Sequence, residues 1–153
     1  MKTVVITGAA RGLGRALLSA YDAQGWRTAP VVRDDEAAVR LREECSPSIC
    51  QPIVADLTNP DTESGIRDAL APIGTVDLLI NNAGIPGRST GLFDSTPTEV
   101  AELLEIHVLS ALRVCRAVVP QMLNADRPKI INISSRLGSL EKSAAGELSG
   151  KGF

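Results

Sequence analysis

The clearest chemical pattern in this sequence is a cluster of glycines close to its start. The segment Thr7–Gly14, TGAARGLG, lies between an apolar run and a segment of helical period. A loop in that position can direct unpaired backbone N–H groups and the positive end of a helix at a diphosphate. Gly8 would permit the tight turn, Gly12 the approach of the phosphates, and Gly14 close packing of helix on strand. The spacing therefore predicts a diphosphate-binding loop; a glycine-rich turn that binds nothing is the alternative.

Three further polar motifs follow later apolar runs. Asp56 follows the third run, Asn81–Gly84 (NNAG) the fourth, and Asn132–Ser135 (NISS) ends the fifth. Any one of these is typical of a turn, but all of them in this order behind a glycine loop are not expected by chance. Together they resemble the motifs of the short-chain dehydrogenase/reductase family, and the resemblance extends over nearly the whole chain.

This resemblance implies an oxidoreductase that transfers hydride between a nicotinamide dinucleotide and a small carbonyl or alcohol substrate. It implies a dinucleotide site built from the glycine loop, the end of the second strand, the acid after the third strand and the NNAG turn. The residues assigned to that site are Gly8, Ala10, Arg11, Gly12, Leu13, Gly14, Arg33, Asp56, Leu57, Asn82, Ala83 and Gly84.

The end of the second strand bears on which dinucleotide binds. An acidic side chain there would hydrogen-bond the ribose 2′-OH of NAD, whereas an arginine accommodates the 2′-phosphate of NADP. The position is occupied by Val32, followed by Arg33, and Arg11 in the glycine loop adds a second cation. In the family such a pair of basic positions accompanies NADP, so we expect NADP(H). NAD is the alternative, because Asp34 would supply the acid if the strand ended later.

Carbonyl reduction by hydride leaves an alkoxide that must receive a proton, so the site needs a donor whose pKa is close to neutrality. In the family a Tyr donates this proton, a Lys four residues later lowers its pKa, and a Ser orients the carbonyl oxygen. The resemblance assigns the serine role to Ser135, with Ser134 as the alternative. The helix position that carries the family's Asn falls at His107. Histidine can donate and accept hydrogen bonds, so a polar active-site role and a helix histidine without a catalytic role both stay open.

The family's Tyr and Lys are not found at their usual spacing, where the chain has Leu148 and Gly152. Lys151 is close to the expected place but has no Tyr four residues before it. The single tyrosine, Tyr21, has the apolar spacing of a core residue on the first helix. Either the natural chain continues past a longer loop to a Tyr-x-x-x-Lys motif, or this is a divergent protein that binds nucleotide without turnover.

The elements that must position these residues can be derived from the periodicity of the chain. Short Val- and Ile-rich runs alternate with helical segments, which predicts β-α-β units around a parallel sheet. The expected strands are Thr3–Thr7, Thr28–Arg33, Pro52–Asp56, Val76–Ile80 and Lys129–Ser134. We expect one Rossmann-like, doubly wound α/β domain over residues 1–153, with strand order 3-2-1-4-5 and with the C-terminal strands of the fold missing. Its fifth strand would then be an exposed apolar edge, which favours a continuing chain.

The helices carry recognisable start and stop signals. Arg11–Gln24 has Leu13, Leu17 and Tyr21 on one face and Gly25 as its stop. Asp34 or Asp35 would cap a helix to about Ser46, Asn59 with Pro60 a helix to about Leu70, and Thr96-Pro97-Thr98-Glu99 a long fourth helix. This last helix resembles the segment through which family members pair, so the resemblance implies a homo-oligomer.

Composition narrows the partners and the compartment. The net charge of −2 gives no reason to expect nucleic acid, and no apolar run approaches the roughly 20 residues of a membrane span, so we expect a cytoplasmic protein. Cys45, Cys50 and Cys115 show no metal-ligand spacing and are expected as reduced thiols, with a Cys45–Cys50 bridge as the alternative. The leading hypothesis is thus an NADP-dependent carbonyl reductase or alcohol dehydrogenase. A catalytically silent nucleotide-binding module is the second, and a structural interaction domain, which leaves the glycine loop unexplained, the third.

Overall fold

A five-stranded parallel sheet forms the centre of the protein. The computed structural model of the chain describes residues 1–46, 50–88, 93–135 and 138–144. The strand order is β3-β2-β1-β4-β5, as predicted. The strands are β1 Thr3–Thr7, β2 Arg27–Val32, β3 Ile53–Val54, β4 Leu78–Asn81 and β5 Lys129–Asn132. The helices are α1 Gly12–Ala23, α2 Asp35–Glu44, α3 Thr62–Leu70, α4 Pro97–Leu104, α5 Ser110–Met122 and α6 Leu140–Ala144.

Helices cover both faces of the sheet, which explains why its central strands lack polar alternation. Every residue of β1 is buried, as expected for a parallel strand with helices on both sides. One core cluster contains Leu18 of α1 and Leu41 of α2. The other contains Ile66 of α3 and Val114 of α5. The sheet is therefore packed between two helical layers, and the loops after β1, β2 and β4 begin at buried residues.

Several helix boundaries agree with the signals in the sequence. The Asp34 carboxylate caps α2 by accepting the Ala37 N–H at 2.8 Å. The Thr96 hydroxyl caps α4 by accepting the Glu99 N–H at 3.2 Å, with Pro97 at the first helical position. Gly25, just after α1, has a φ of +73°, the left-handed conformation expected of a glycine stop.

The predicted start of the third helix is wrong. Asn59 does not cap α3, which begins only at Thr62. Its side-chain oxygen instead accepts the Asp61 N–H, two residues on, at 2.9 Å. Asparagine readily makes such local turns in place of a helix cap, and here the turn delays the helix.

The predicted apolar face of α1 is partly wrong. Leu13 is 54% exposed, while Leu17 and Tyr21 are partly buried and Leu18 is fully buried. A spacing of four residues advances by about 40° around a helix of 3.6 residues per turn. The side chains that follow Leu13 at this spacing, Leu17 and Tyr21, are therefore turned further towards the sheet than Leu13 itself.

The long fourth helix contains an irregularity that the sequence did not indicate. One π turn, Glu105–Leu109, separates α4 from α5. A π turn inserts an extra residue and rotates the next part of the helix about its axis, and such turns are frequent at functional sites. His107 lies in the middle of this turn.

Strand β5 forms one edge of the sheet and is exposed along its whole length. The exposed fractions of Ile130 and Ile131 are 43% and 41%, as the predicted edge position requires. Within the described residues, no helix is both long enough and apolar enough to cross a lipid bilayer.

Substitutions on α1 test the assignment of its buried face. We expect Leu18→Ala to lower the free energy of unfolding by about 2–5 kcal/mol, because it opens a cavity between α1 and the sheet. Leu13→Ala, on the exposed side, should change it by less than about 0.5 kcal/mol. Urea unfolding of both variants without ligand measures the difference, and equal losses would contradict the assignment.

Candidate functional site

The predicted site motifs come together at the carboxyl edge of the sheet. The strands are parallel, with Thr7 opposite Val31, Val32 opposite Val54 and Asn81 opposite Asn132. The loops after the strands therefore emerge on the same side. β1 lies between β2 and β4. Strands β2 and β3 are added on one side of β1 and strands β4 and β5 on the other, so the direction of strand addition reverses next to β1. In open α/β sheets this reversal creates the crevice in which ligands bind.

Thr7 joins the glycine loop to the NNAG turn. Its hydroxyl is buried and accepts the backbone N–H groups of Asn82 and Ala83, at 2.9 and 3.0 Å. The Asn82 side-chain amide donates in return to the carbonyls of Thr7 and Gly8, at 3.0 and 3.3 Å. Asn82 thus holds the two loops in register. Thr7 was absent from the predicted site residues, although its position before Gly8 is part of the family motif.

The three glycines of the loop have different structural roles. Gly8 has a φ of +66°, and a Cβ there would lie 2.9 Å from the Ala83 Cα. At Gly14 a Cβ would lie 2.3 Å from the Gly8 carbonyl oxygen, so α1 could not approach the strand. Gly12 has a φ of +57° and open space where its Cβ would be. The predicted tasks of Gly8 and Gly14 are confirmed, and Gly12 leaves the surface of the loop clear.

The N-terminus of α1 is built differently from those of α2 and α4. Its N-cap residue is Arg11, whose side chain makes no capping hydrogen bond and has no acceptor to offer. The first intrahelical bond runs from the Arg15 N–H to the Arg11 carbonyl, at 3.2 Å. The N–H groups of Gly12, Leu13 and Gly14 therefore have no carbonyl acceptor within the helix. Free donors at this end of a helix can bind an anion.

Not every amide of the loop is available to a ligand. The Gly8 N–H donates to the Val31 carbonyl at 3.0 Å, and the Ala9 N–H approaches the same oxygen at 3.5 Å. These bonds fix the start of the loop on β2. The expected cradle of amides from Thr7 to Gly14 is thus narrower than predicted and begins after Ala9.

Arg33 and Asp56 follow the ends of the neighbouring strands β2 and β3 and lie close enough to interact. The pKa of the Asp56 carboxyl is below its usual value. The main causes are hydrogen bonds from the Thr58 backbone N–H and hydroxyl, at 3.0 and 2.8 Å; the Arg33 charge adds to them. Asp56 is therefore an ionised acceptor at neutral pH. Arg33, like Arg11 and Ala10, is exposed, whereas Leu57 is buried.

His107 contacts the NNAG turn directly. Its Nε2 lies 2.9 Å from the Ile85 carbonyl oxygen. A carbonyl can only accept, so Nε2 carries the hydrogen and donates. The ring also packs on Gly84, where a Cβ would lie 2.7 Å from the imidazole Cε1. The imidazole thereby holds the turn in place, a role that the sequence did not predict.

The carboxyl ends of β4 and β5 are joined by two asparagines. The Asn81 side-chain amide donates to the Asn132 side-chain oxygen at 2.8 Å, and the Ile133 N–H donates to the Asn81 carbonyl at 2.8 Å. This pairing fixes the point from which Ser134 and Ser135 leave the sheet. Both serines are exposed at the same edge as the glycine loop.

The proton donor predicted for this chemistry is not supplied by Tyr21. That residue packs edge-to-face on Trp26 at 5.0 Å between ring centroids, against the core of the α1 layer. Positions Leu148, Lys151 and Gly152, considered for the Tyr and Lys, lie outside the described residues. Among the described residues, no three His, Cys, Asp or Glu side chains cluster as a metal site.

Comparison with known proteins decides the family. The family model for short chain dehydrogenases matches residues 2–147. The chain belongs to this family. An L-fucose dehydrogenase from Oryctolagus cuniculus is 31% identical, over 97% of this chain and 50% of its own length. The chain spans about half the length of the curated relatives it matches.

Solved structures of family members share the fold and include dinucleotide complexes. A 3-oxoacyl-[acyl-carrier protein] reductase from Brucella melitensis with bound NAD is 27% identical, with a TM-score of 0.75 over 88% of this chain and 53% of its own. A metagenomic short-chain oxidoreductase in complex with NADP is 29% identical, with a TM-score of 0.79 over 96% of this chain and 76% of its own. Members of the family thus bind either dinucleotide in this fold.

The close contact at Gly14 can be tested with a matched pair of glycines. We expect Gly14→Ala to destabilise the protein strongly, because its Cβ would meet the Gly8 carbonyl. Gly65→Ala, inside α3 with open space around the new methyl group, should instead stabilise it by up to about 1 kcal/mol, through helix propensity. Thermal unfolding of the two variants measures the contrast, and a tolerated Gly14→Ala would refute the packing described for this loop.

Proposed function

We propose that the protein binds NADP(H) at the carboxyl edge of the sheet and serves hydride transfer to or from a small carbonyl or alcohol. The observation that carries this proposal is the uncapped N-terminus of α1. The first N–H groups of α1 have no acceptor within the helix. They follow β1, the strand next to which the order of the sheet reverses. Backbone donors and a helix end arranged in this way fit a diphosphate.

The preference for NADP over NAD rests on the residues at the end of β2. Val32 is buried and apolar, so no carboxylate stands where NAD would need one. Arg33 is exposed next to it, and its guanidinium suits a 2′-phosphate. Asp34, the alternative acid, already caps α2 through the Ala37 N–H. An NAD-type contact would have to compete with that cap.

Each part of the site has a distinct task in the proposed reaction. The nicotinamide ring supplies or accepts the hydride when the dinucleotide is bound. The glycine loop and Arg33 bind its phosphates, and Asp56 offers an ionised acceptor near the adenine end. Ser135, or Ser134, orients the carbonyl oxygen of the substrate. His107 keeps the Gly84–Ile85 turn fixed, and we assign it the role of a positioning residue, between the two roles that the sequence left open.

A catalytically silent dinucleotide-binding module is the second candidate. It is favoured by the place of Tyr21, which packs on Trp26 in the core, so the chain's single tyrosine donates no proton at the site. Turnover in the leading proposal requires a donor that the described residues do not supply. Both candidates share the dinucleotide site and differ in whether a carbonyl substrate is reduced.

Calorimetric titration of the 153-residue chain with NADPH and NADH tests the proposed site. We expect NADPH to bind more tightly, and Arg33→Ala to weaken NADPH binding roughly tenfold through loss of charge-assisted hydrogen bonds, with little effect on NADH.

Arg40→Ala is the matched control, since Arg40 lies on α2 and pairs with Glu36; it should leave both affinities unchanged. Equal affinity for the two dinucleotides would remove the NADP preference. Binding of neither would refute both candidate functions.

We also propose that two copies of the chain pair through the long helix that begins at Pro97. Val100, Leu104, Val108 and Leu112 are each about half exposed and follow one another at four-residue spacing. Side chains four residues apart are neighbours on a helix, and a group of exposed apolar side chains of this kind is typical of an interaction surface. Two helices related by a two-fold axis can cover the same row on each other, which favours a second copy as the occupant.

Sedimentation velocity tests this pairing. We expect Leu112→Asp to shift the chain from dimer to monomer, because it would place a charge in the apolar row. Leu123→Asp, at an exposed position beyond the row, should leave the dimer intact. A wild-type chain that stays monomeric at high micromolar concentration would contradict the proposal.

A further inference from the structure

Two buried cysteines lie together on the side of the molecule that the proposed function does not use. Cys45 is the C-cap residue of α2, and Cys50 lies shortly before β3. Both thiols are free, their exposed fractions are 6% and 4%, and they belong to the same core cluster. With Cys115 on the other core cluster, the chain has a close thiol pair and a separate third thiol.

Each cysteine of the pair is anchored to a fixed element by its backbone. The Cys45 N–H donates to the Leu41 carbonyl at 3.0 Å, which ends α2. Cys50 bridges to Thr28 of β2, where the Gln51 N–H donates to the Thr28 carbonyl at 2.8 Å. The Cys50 N–H also reaches the Ser46 carbonyl at 3.0 Å. These anchors fix both cysteines in one core cluster, where Cys45 lies close enough to Cys50 to affect the pKa of its thiol.

The two thiols differ in their surroundings. The Arg15 guanidinium lies 3.4 Å from the Cys45 sulfur and also pairs with Glu44 at 2.7 Å. Burial raises the pKa of the Cys50 thiol to about 11; the neighbouring Cys45 adds to the shift, and Thr28 opposes it. A cation stabilises negative charge on an adjacent sulfur. The pair therefore combines one sulfur beside a positive charge with one that stays protonated.

Small molecules can reach the pair from the side of Cys50. A cavity of about 370 Å³ is lined by Arg42, Cys50, Gln51 and Pro52. Hydrogen peroxide is small enough to enter such a space. Because both thiols are buried in the same core cluster, we expect oxidation within the pair.

We propose that Cys45 and Cys50 are a redox modification site, at which a hydroperoxide converts the two thiols to a reversible disulfide. The Cys45 thiolate attacks a peroxide oxygen, the O–O bond breaks, and Cys45 becomes a sulfenic acid as the peroxide is reduced. The Cys50 sulfur then attacks the Cys45 sulfur, and the S–S bond forms as the Cys50 proton passes to the departing oxygen. The S–O bond breaks, and hydroxide leaves with the Cys50 proton as water. In total, two thiols and one hydrogen peroxide give one disulfide and two waters.

Peptide mass spectrometry of the full chain treated with hydrogen peroxide tests this inference. Trypsin places both cysteines in one peptide, Glu43–Arg67, and Cys115 in another, Val114–Arg116. We expect the first peptide to lose two hydrogen atoms and to resist alkylation, faster than Cys115 is oxidised. Dithiothreitol should reverse the change.

Variants separate the two roles in the pair. Cys50→Ser should stop the reaction at a Cys45 sulfenic acid, which a 1,3-dione reagent traps, and Cys45→Ser should leave Cys50 unmodified. Cys115→Ser is the control and should form the disulfide at the wild-type rate. Arg15→Met should slow disulfide formation several-fold, whereas Arg15→Lys, which keeps a cation, should slow it less. Circular dichroism checks that each variant is folded.

Three outcomes would contradict this proposal. If Cys45 and Cys50 stay open to alkylation under conditions that oxidise Cys115, the pair is not a modification site. Disulfides between chains, or a sulfenic acid that persists at Cys45 in the wild-type chain, would also overturn it. None of these outcomes depends on dinucleotide binding, so the test is independent of the proposed function.

Discussion

The hydrogen bonds between Thr7 and Asn82 are the interaction on which the site depends. They join the loops after β1 and β4, the two strands between which the crevice opens. Thr7 sits at the end of a fully buried strand, so its hydroxyl is as fixed as the core itself. A buried hydroxyl that accepts two backbone N–H groups leaves the NNAG turn little freedom. This connection sets the positions of Ala83 and Gly84, and of the glycine loop opposite them.

A second set of contacts holds the same turn from the helical side. His107 donates to the Ile85 carbonyl and packs on Gly84, and the π turn places its side chain where it can do so. The buried Glu99 carboxylate accepts the Arg88 N–H, and Arg88 pairs with Glu102 at 2.7 Å. The segment after β4 is therefore attached to β1 at its start and to the long helix farther along. Such support from rigid elements is what a site needs to keep a ligand in one orientation.

Sequence reasoning predicted most of this architecture because the relevant signals are local. The first apolar run, the Asp34 and Thr96 caps and the Gly25 stop each depend on neighbouring residues only, and each is confirmed. It failed where local signals compete. The Asn59 side chain accepts the Asp61 N–H of a turn instead of an N–H of the helix. Leu13 has the four-residue spacing of Leu17 and Tyr21 but lies on the exposed side of α1. Neither outcome is visible without knowing where the sheet lies.

The sequence by itself determined the order of the strands, the glycine loop and the family. The strands follow from the periodicity of the chain, and the loop and the family follow from short motifs with fixed spacing. Only the tertiary structure decided what the polar side chains do. Asn82 donates its amide hydrogens to the carbonyls of Thr7 and Gly8, and His107 donates its Nε2 hydrogen to the Ile85 carbonyl. The Thr7 partner of Asn82 and the Ile85 partner of His107 lie 75 and 22 residues away along the chain. A hydrogen bond requires its donor and acceptor to lie within about 3 Å of each other. The packing of the core brings these residues that close, and their spacing along the chain does not predict it.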